Sequence, residues 1–257
     1  MSLIRYEYAD SCARITMTNP DRGNVFKPEA GAEMLAAILR AKADSARVIV
    51  LAAEGKYFSV GGDLAGFAAA DDLGPYILEL AEGANRIITE LVRCDAIVVS
   101  AVQGTAAGVG FPLAAAADIV IAADKAKFSL AYAKVGLSVD GGGSLLVHTL
   151  GLHRVLRLTL LGDMLSATEA LEAGLVARVV PAEELAAAVD EVVATLLAGS
   201  PEALASTKHL IRDVADPNPE SALRREAQSI SAPASGLKTL PRSGLVIVMR
   251  AQPSAYS

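Results

Sequence analysis

What most limits the fold of this chain is a repeated change of period along it. The runs ARVIVLAAEG (46–55), AIVVSAVQG (96–104) and DIVIAAD (118–124) are near-continuous and apolar, as expected of strands buried on both faces. Between them, PEAGAEMLAAILRAK from Pro28 to Lys42, the stretch from Gly74 to Arg93 and a stretch from Gly110 carry helical spacing. Repeated strand-then-helix units predict an α/β fold with stacked layers of strands covered by helices. An early strand pair, IRYEYADSCARITMTN, ends in a turn at NPDRGN. AKFSLAYA (126–133) predicts a further strand, and Gly143 to Leu161 a long helical zone. After Glu183 the spacing is helical throughout, with a cap signature, SPEA, at Ser200. The predicted division is a core over residues 1–195 and a C-terminal helical region over 196–257.

Several function classes are excluded early. The 257 residues suffice for a large core without staples. The net charge of −6, with no basic run interleaved with aromatics, argues against nucleic acid as a partner. Cys12 and Cys94 have no CxxC or Cys/His spacing, so neither a disulfide framework nor zinc is encoded, and a reducing cytoplasm is the expected location. The start, MSLIRYEYAD, has charges where a signal peptide needs an apolar stretch. The weakly polar run from Ile97 to Ala123 contains Gln103, Pro112 and Asp118, which make it a poor membrane span. GTAAGVG does not match GxGxxG, AEGKYFS is not a phosphate-binding loop, and His148, His153 and His209 form no HExxH motif. Ser144 lacks the GxSxG context of a nucleophile. No metal site is expected.

Two segments share a different peculiarity. In KYFSVGGDL (56–64) and VQGTAAGVGFP (102–112), a strand pattern ends in small residues, glycines follow and a helical pattern begins. Such glycines either turn the chain or let a ligand approach the backbone, where N–H groups at a helix start lack partners. Two such groups aimed at one point form an oxyanion hole.

Taken in order and with their flanks, NPDRGNVF (19–26), GKYFSVGGDL (55–64), VQGTAAGVG (102–110), AKFSLAYAKVGLSVDGGGS (126–144) and LSATEALEAGLVARVVP (165–181) resemble the crotonase, or enoyl-CoA hydratase/isomerase, family. The resemblance runs from about residue 3 to 215, and GLVIVMRAQPSAY (244–256) only weakly echoes the family's ending. It implies a spiral of ββα turns with a C-terminal helical trimerisation region, assembled as a homotrimer or a dimer of trimers. It also implies an acyl-CoA thioester as ligand, with coenzyme A part of the substrate and no separate cofactor or membrane partner.

Carried over residue by residue, the resemblance assigns the two oxyanion N–H donors to Gly62 and Val109. Losing one such donor typically costs ~3 kcal/mol of transition-state stabilisation. The two glutamates that activate water in the family's hydratases fall on Pro112 and Tyr132, neither of which supplies a carboxylate. Asp140, in LSVDGGGS, stands where isomerases of the family often place an acid. One carboxylate suffices to move a proton between the α and γ carbons of an enoyl thioester. The competing role for Asp140 is a helix N-cap, which would lower its pKa where an apolar tunnel would raise it. Tyr132 either donates a hydrogen bond to the acyl chain or shapes the pocket. Asp63 and Asp118 read as structural, Asp63 near the CoA. Arg22 and Lys56 would meet CoA phosphates or remain solvated, and Ser59, Gly61, Leu64 and Gly108 complete the expected CoA and substrate contacts. The leading expectation is enoyl-CoA isomerisation with Asp140 as proton shuttle; its rivals are a hydratase with atypical water activation and a non-catalytic acyl-CoA-binding protein.

Overall fold

The computed structural model describes residues 2–215 and 218–237; the segment 244–256 lies outside them. Among the described residues, ten strands form two sheets. They are β1 (Ile4–Ala9), β2 (Cys12–Met17), β3 (Val48–Ala53), β4 (Tyr57–Ser59), β5 (Ile97–Val102), β6 (Thr105–Ala107), β7 (Ile119–Ala123), β8 (Lys127–Ser129), β9 (Met164–Ser166) and β10 (Arg178–Val180). The helices are α1 (Pro28–Ala43), α2 (Leu64–Ala69), α3 (Leu73–Arg93), α4 (Gly110–Ala115), α5 (Val147–Leu150), α6 (Leu152–Leu156), α7 (Ala167–Glu172), α8 (Leu185–Ala198), α9 (Pro201–Ala215) and α10 (Pro219–Leu237).

The larger sheet has the order β1-β2-β3-β5-β7-β10 and the smaller one β4-β6-β8-β9. From β3 to β8 the chain gives one strand to the large sheet and the next to the small one, so successive ββα turns stack as a spiral. The apolar runs become the central parallel strands β3, β5 and β7, where Val50, Val99 and Ile121 are fully enclosed. β1 and β2 pair in antiparallel fashion through a two-residue turn with Asp10 and Ser11 both at positive φ, the geometry that matches the strand twist.

Two expectations change. The zone Gly143–Leu161 is not one helix: a 3-10 turn at Gly143–Leu146 leads into α5, and Gly151 at φ 79 breaks the chain before α6. AKFSLAYA is strand only to Ser129, because Ala131–Val135 winds into a 3-10 turn closed by Gly136. β4, β6, β9 and β10 are three residues each, too short to show a period of two.

The C-terminal helices are anchored by charge. Lys208 of α9 is buried, and its Nζ lies 2.9 Å from Asp118 Oδ2 and donates to the carbonyls of Leu91 and Ala96 at 2.9 and 2.8 Å. Arg212 donates to Asp118 Oδ1 at 2.7 Å and to the Ala116 carbonyl at 2.9 Å. Asp118 thus has the structural role its position suggested, and Ser200 accepts the Ala203 N–H at 3.3 Å at the start of α9.

Candidate active site

β4, β6 and β8 are parallel neighbours, so their carboxyl ends lie side by side and the loops that follow them converge. Gly61 sits at φ 90 and Gly108 at φ 53. A Cβ on Gly61 would come within 3.0 Å of the Ala107 carbonyl oxygen, and one on Gly108 within 3.3 Å of the Gly61 Cα. The two backbones are in contact, and side chains at these positions would separate them.

The first loop is held extended against Phe26, whose N–H donates to the Gly61 carbonyl at 2.7 Å while its own carbonyl accepts the Asp63 N–H at 3.0 Å. The Gly62 N–H, between these two bonds, points away from that partner. Among the described residues neither it nor the Val109 N–H has an acceptor. Ser59 is buried beneath this loop. Its Oγ donates to the Asn24 carbonyl at 2.8 Å and accepts the Gly61 N–H at 3.2 Å. It fixes the loop rather than facing the pocket. Ser59→Ala should therefore cost about 1–2 kcal/mol in urea unfolding and lower turnover by loosening Gly61 and Gly62; an unchanged rate would show that the hydroxyl plays no part in holding the loop.

One pocket brings together Gly62, Leu64, Gly108, Val109, Tyr132 and Asp140. Its walls are apolar, with Ile77 and Leu80 from α3 and Ile230 from α10. Asp140 is only 7% exposed, and among the described residues its Oδ1 has no hydrogen-bond partner. Burial pushes its carboxyl pKa up to about 7, with the neighbouring Tyr132 hydroxyl opposing the rise and the nearby Glu226 adding to it. The Tyr132 hydroxyl donates a long bond, 3.5 Å, to the Asp140 backbone carbonyl. Burial, and then Asp140, hold the Tyr132 phenol well above its ordinary pKa, so it is a hydrogen-bond donor at neutral pH.

The capping role that the sequence left open for Asp140 is filled by another residue. Glu226, from α10, accepts the Gly142 and Ser144 N–H groups at 2.7 Å each. Nothing in the local sequence signals this, because the acceptor is more than eighty residues downstream.

The chain matches the family model described as enoyl-CoA hydratase/isomerase over residues 7–240. This chain belongs to the enoyl-CoA hydratase/isomerase family. It is 35% identical over 212 residues to trans-2-decenoyl-[acyl-carrier-protein] isomerase of Streptococcus mutans, covering 81% of each chain. It is 37% identical over 179 residues to a probable enoyl-CoA hydratase of Rhodobacter capsulatus, covering 69% of this chain and 68% of that one. Among solved structures, an enoyl-CoA hydratase from Mycobacterium avium subsp. paratuberculosis superposes with a TM-score of 0.85 at 32% identity, covering 96% of this chain and 98% of that one. The spiral fold expected from the motifs is the crotonase fold of these structures.

Within this enoyl-CoA hydratase/isomerase chain, other expected contacts divide. Pro112 is not part of the pocket with Asp140; it lines a separate cavity with Ile88 and Gly142. It is the third residue of α4, where the missing N–H breaks no helical bond. Asp63 caps α2 by accepting the Ala65 N–H at 3.1 Å. Arg22 and Lys56 lie outside the pocket: the Arg22 guanidinium is 3.9 Å from Asp63 on the surface, and the Lys56 Nζ rests 5.2 Å from the centre of the Tyr57 ring. Among the described residues no group of His, Cys, Asp or Glu is arranged to hold a metal ion, and no helix is long and apolar enough to cross a membrane.

Proposed function

We propose that this chain is an enoyl-CoA isomerase that shifts a C=C bond between the 3 and 2 positions of an acyl thioester. The observation that carries the reading is the buried Asp140 carboxyl, with one unpartnered oxygen, in the same apolar pocket as the free backbone N–H groups of Gly62 and Val109. The thioester oxygen accepts from those two N–H groups. Ionised Asp140 removes a proton from C2 of the 3-enoyl chain, the electron pair delocalises into a dienolate held at that oxygen, and the protonated Asp140 returns the proton at C4. Proton and charge balance without a metal or redox partner. A pKa near 7 suits both halves of the transfer, since the group must take a proton and give it back at similar cost.

The absence of a carboxylate at Pro112 and Tyr132 weighs against water addition, and a relative whose printed name is an isomerase points the same way. Assembly as a homotrimer or dimer of trimers belongs to the same proposal. Its support is the exposed apolar row Leu152, Leu156, Leu160 and Leu161 along one helical stretch. A cytoplasmic location fits the two unpaired, buried cysteines Cys12 and Cys94.

The test offers the purified protein 3-enoyl-CoA and 2-enoyl-CoA separately. Interconversion of the two without a 3-hydroxyacyl product is the expected result. Accumulation of the hydroxyacyl thioester would replace the isomerase by a hydratase, and tight binding with no conversion of either would reduce the protein to an acyl-CoA binder.

A further inference from the structure

The three glycines after Asp140 begin a helical stretch, and its first N–H groups need acceptors. Asp140 is the nearest residue able to serve. A carboxylate that accepts such bonds loses basicity and the freedom to face a substrate. In this structure the demand is met from across the molecule: Glu226, on α10 and only 4% exposed, takes the N–H groups of Gly142 and Ser144 with its two oxygens. Meanwhile Asp140 Oδ1 has no partner.

We propose that Glu226 is a positioning residue for Asp140, accepting the helix-start N–H groups in its place and holding a second negative charge beside it, so that the Asp140 carboxyl stays free and basic in the pocket. The proposal rests on the reading of Asp140 as proton shuttle.

The surroundings leave few other groups to account for this behaviour. Tyr132, from the 131–135 turn, and Glu226, from α10, are the titratable groups that act on Asp140. α3 presents Ala84 and Ile88, the second loop Val109 and α4 Pro112 to the glycines beside it, all apolar. Arg225 and His148 line an outer cleft together with Glu226 and Ser144 and do not line the pocket of Asp140. Tyr132 lowers the Asp140 pKa, whereas burial and Glu226 raise it. Burial raises the Glu226 pKa above its ordinary value, and its bonds to the Gly142 and Ser144 N–H groups oppose that rise. Removing Glu226 thus acts on Asp140 twice in one direction: the neighbouring charge disappears, and helix-start N–H groups become available to Asp140. Both effects lower its pKa.

The experiment titrates Asp140 directly, by carbon NMR of carboxyl-labelled aspartate with Asp140→Asn assigning the signal, and in parallel through the pH profile of kcat/KM for isomerisation. Glu226→Gln should move both midpoints down by about one pH unit. Glu226→Asp, which keeps the charge on a shorter arm, should stay closer to the wild type than to Glu226→Gln. An Asp140 midpoint identical in the wild type and Glu226→Gln would overturn the proposal, as would equal falls in Glu226→Asp and Glu226→Gln. Failure of the shuttle reading looks different. There, Asp140→Asn keeps full activity while the NMR midpoint still moves with Glu226, so the coupling stands and the catalytic role falls.

Discussion

Asp140→Asn is expected to slow conversion of 3-enoyl-CoA to 2-enoyl-CoA by about a hundred- to ten-thousand-fold, the usual contribution of one positioned acid–base group. Asparagine keeps the size of the side chain and the apolar walls around it but accepts no proton. The backbone N–H groups of Gly62 and Val109 are untouched, so KM should change far less than kcat. That split separates loss of proton transfer from loss of binding. In the proposed mechanism the working form is the carboxylate, so kcat/KM should rise with pH through about 7 and level off above it. The absorbance of the conjugated thioester product follows the reaction. A variant that retains the full rate would remove Asp140 from the chemistry and leave this pocket without an assigned base.

The layers of the fold were legible because the central strands are long and apolar on both faces, as at Val48–Ala53 and Ile97–Val102. The small sheet was legible only in part: AKFSLAYA reads as a strand and supplies β8, while Met164–Ser166 carries no strand signal. Tyr57–Ser59 and Thr105–Ala107 are three residues each and owe their pairing to neighbours brought alongside by the long strands. The glycines that follow them were visible, and their reason became plain only in three dimensions: the Gly61 and Gly108 backbones touch. For Asp140 the sequence offered two roles, and the acid–base one was favoured on its family position rather than on local geometry. The choice depends on Glu226, far along the chain, which takes over the capping and leaves the carboxyl free. Local sequence carries no trace of that exchange, because a cap supplied from a distant helix has no spacing rule. Pro112 shows the converse, since a motif position identified by resemblance lies in this chain on a different cavity from the acid.

The burial that raises the Asp140 pKa should also make it a burden on the fold, and the size and sign of that burden can be measured. In the unfolded chain the carboxyl titrates near its ordinary value of about 4; in the folded protein burial, first, and then Glu226 push it up to about 7. The folded state therefore binds the proton more tightly. Below about pH 4 both states are protonated and the group contributes nothing to the pH dependence. Between about 4 and 7 the unfolded chain releases its proton while the folded one retains it, so stability falls as pH rises. Above about 7 the full cost of a buried charge, up to about 4 kcal/mol, is present and constant. Asp140→Asn has no charge to bury at any pH. Its stability relative to the wild type should improve by up to about 4 kcal/mol between pH 4 and 8, read from urea unfolding at each pH. Comparing the two proteins across pH cancels any fixed penalty from the asparagine amide. A flat difference would mean that water or a rearranged partner relieves Asp140 in the folded state, and the raised pKa on which the proton shuttle depends would fall with it.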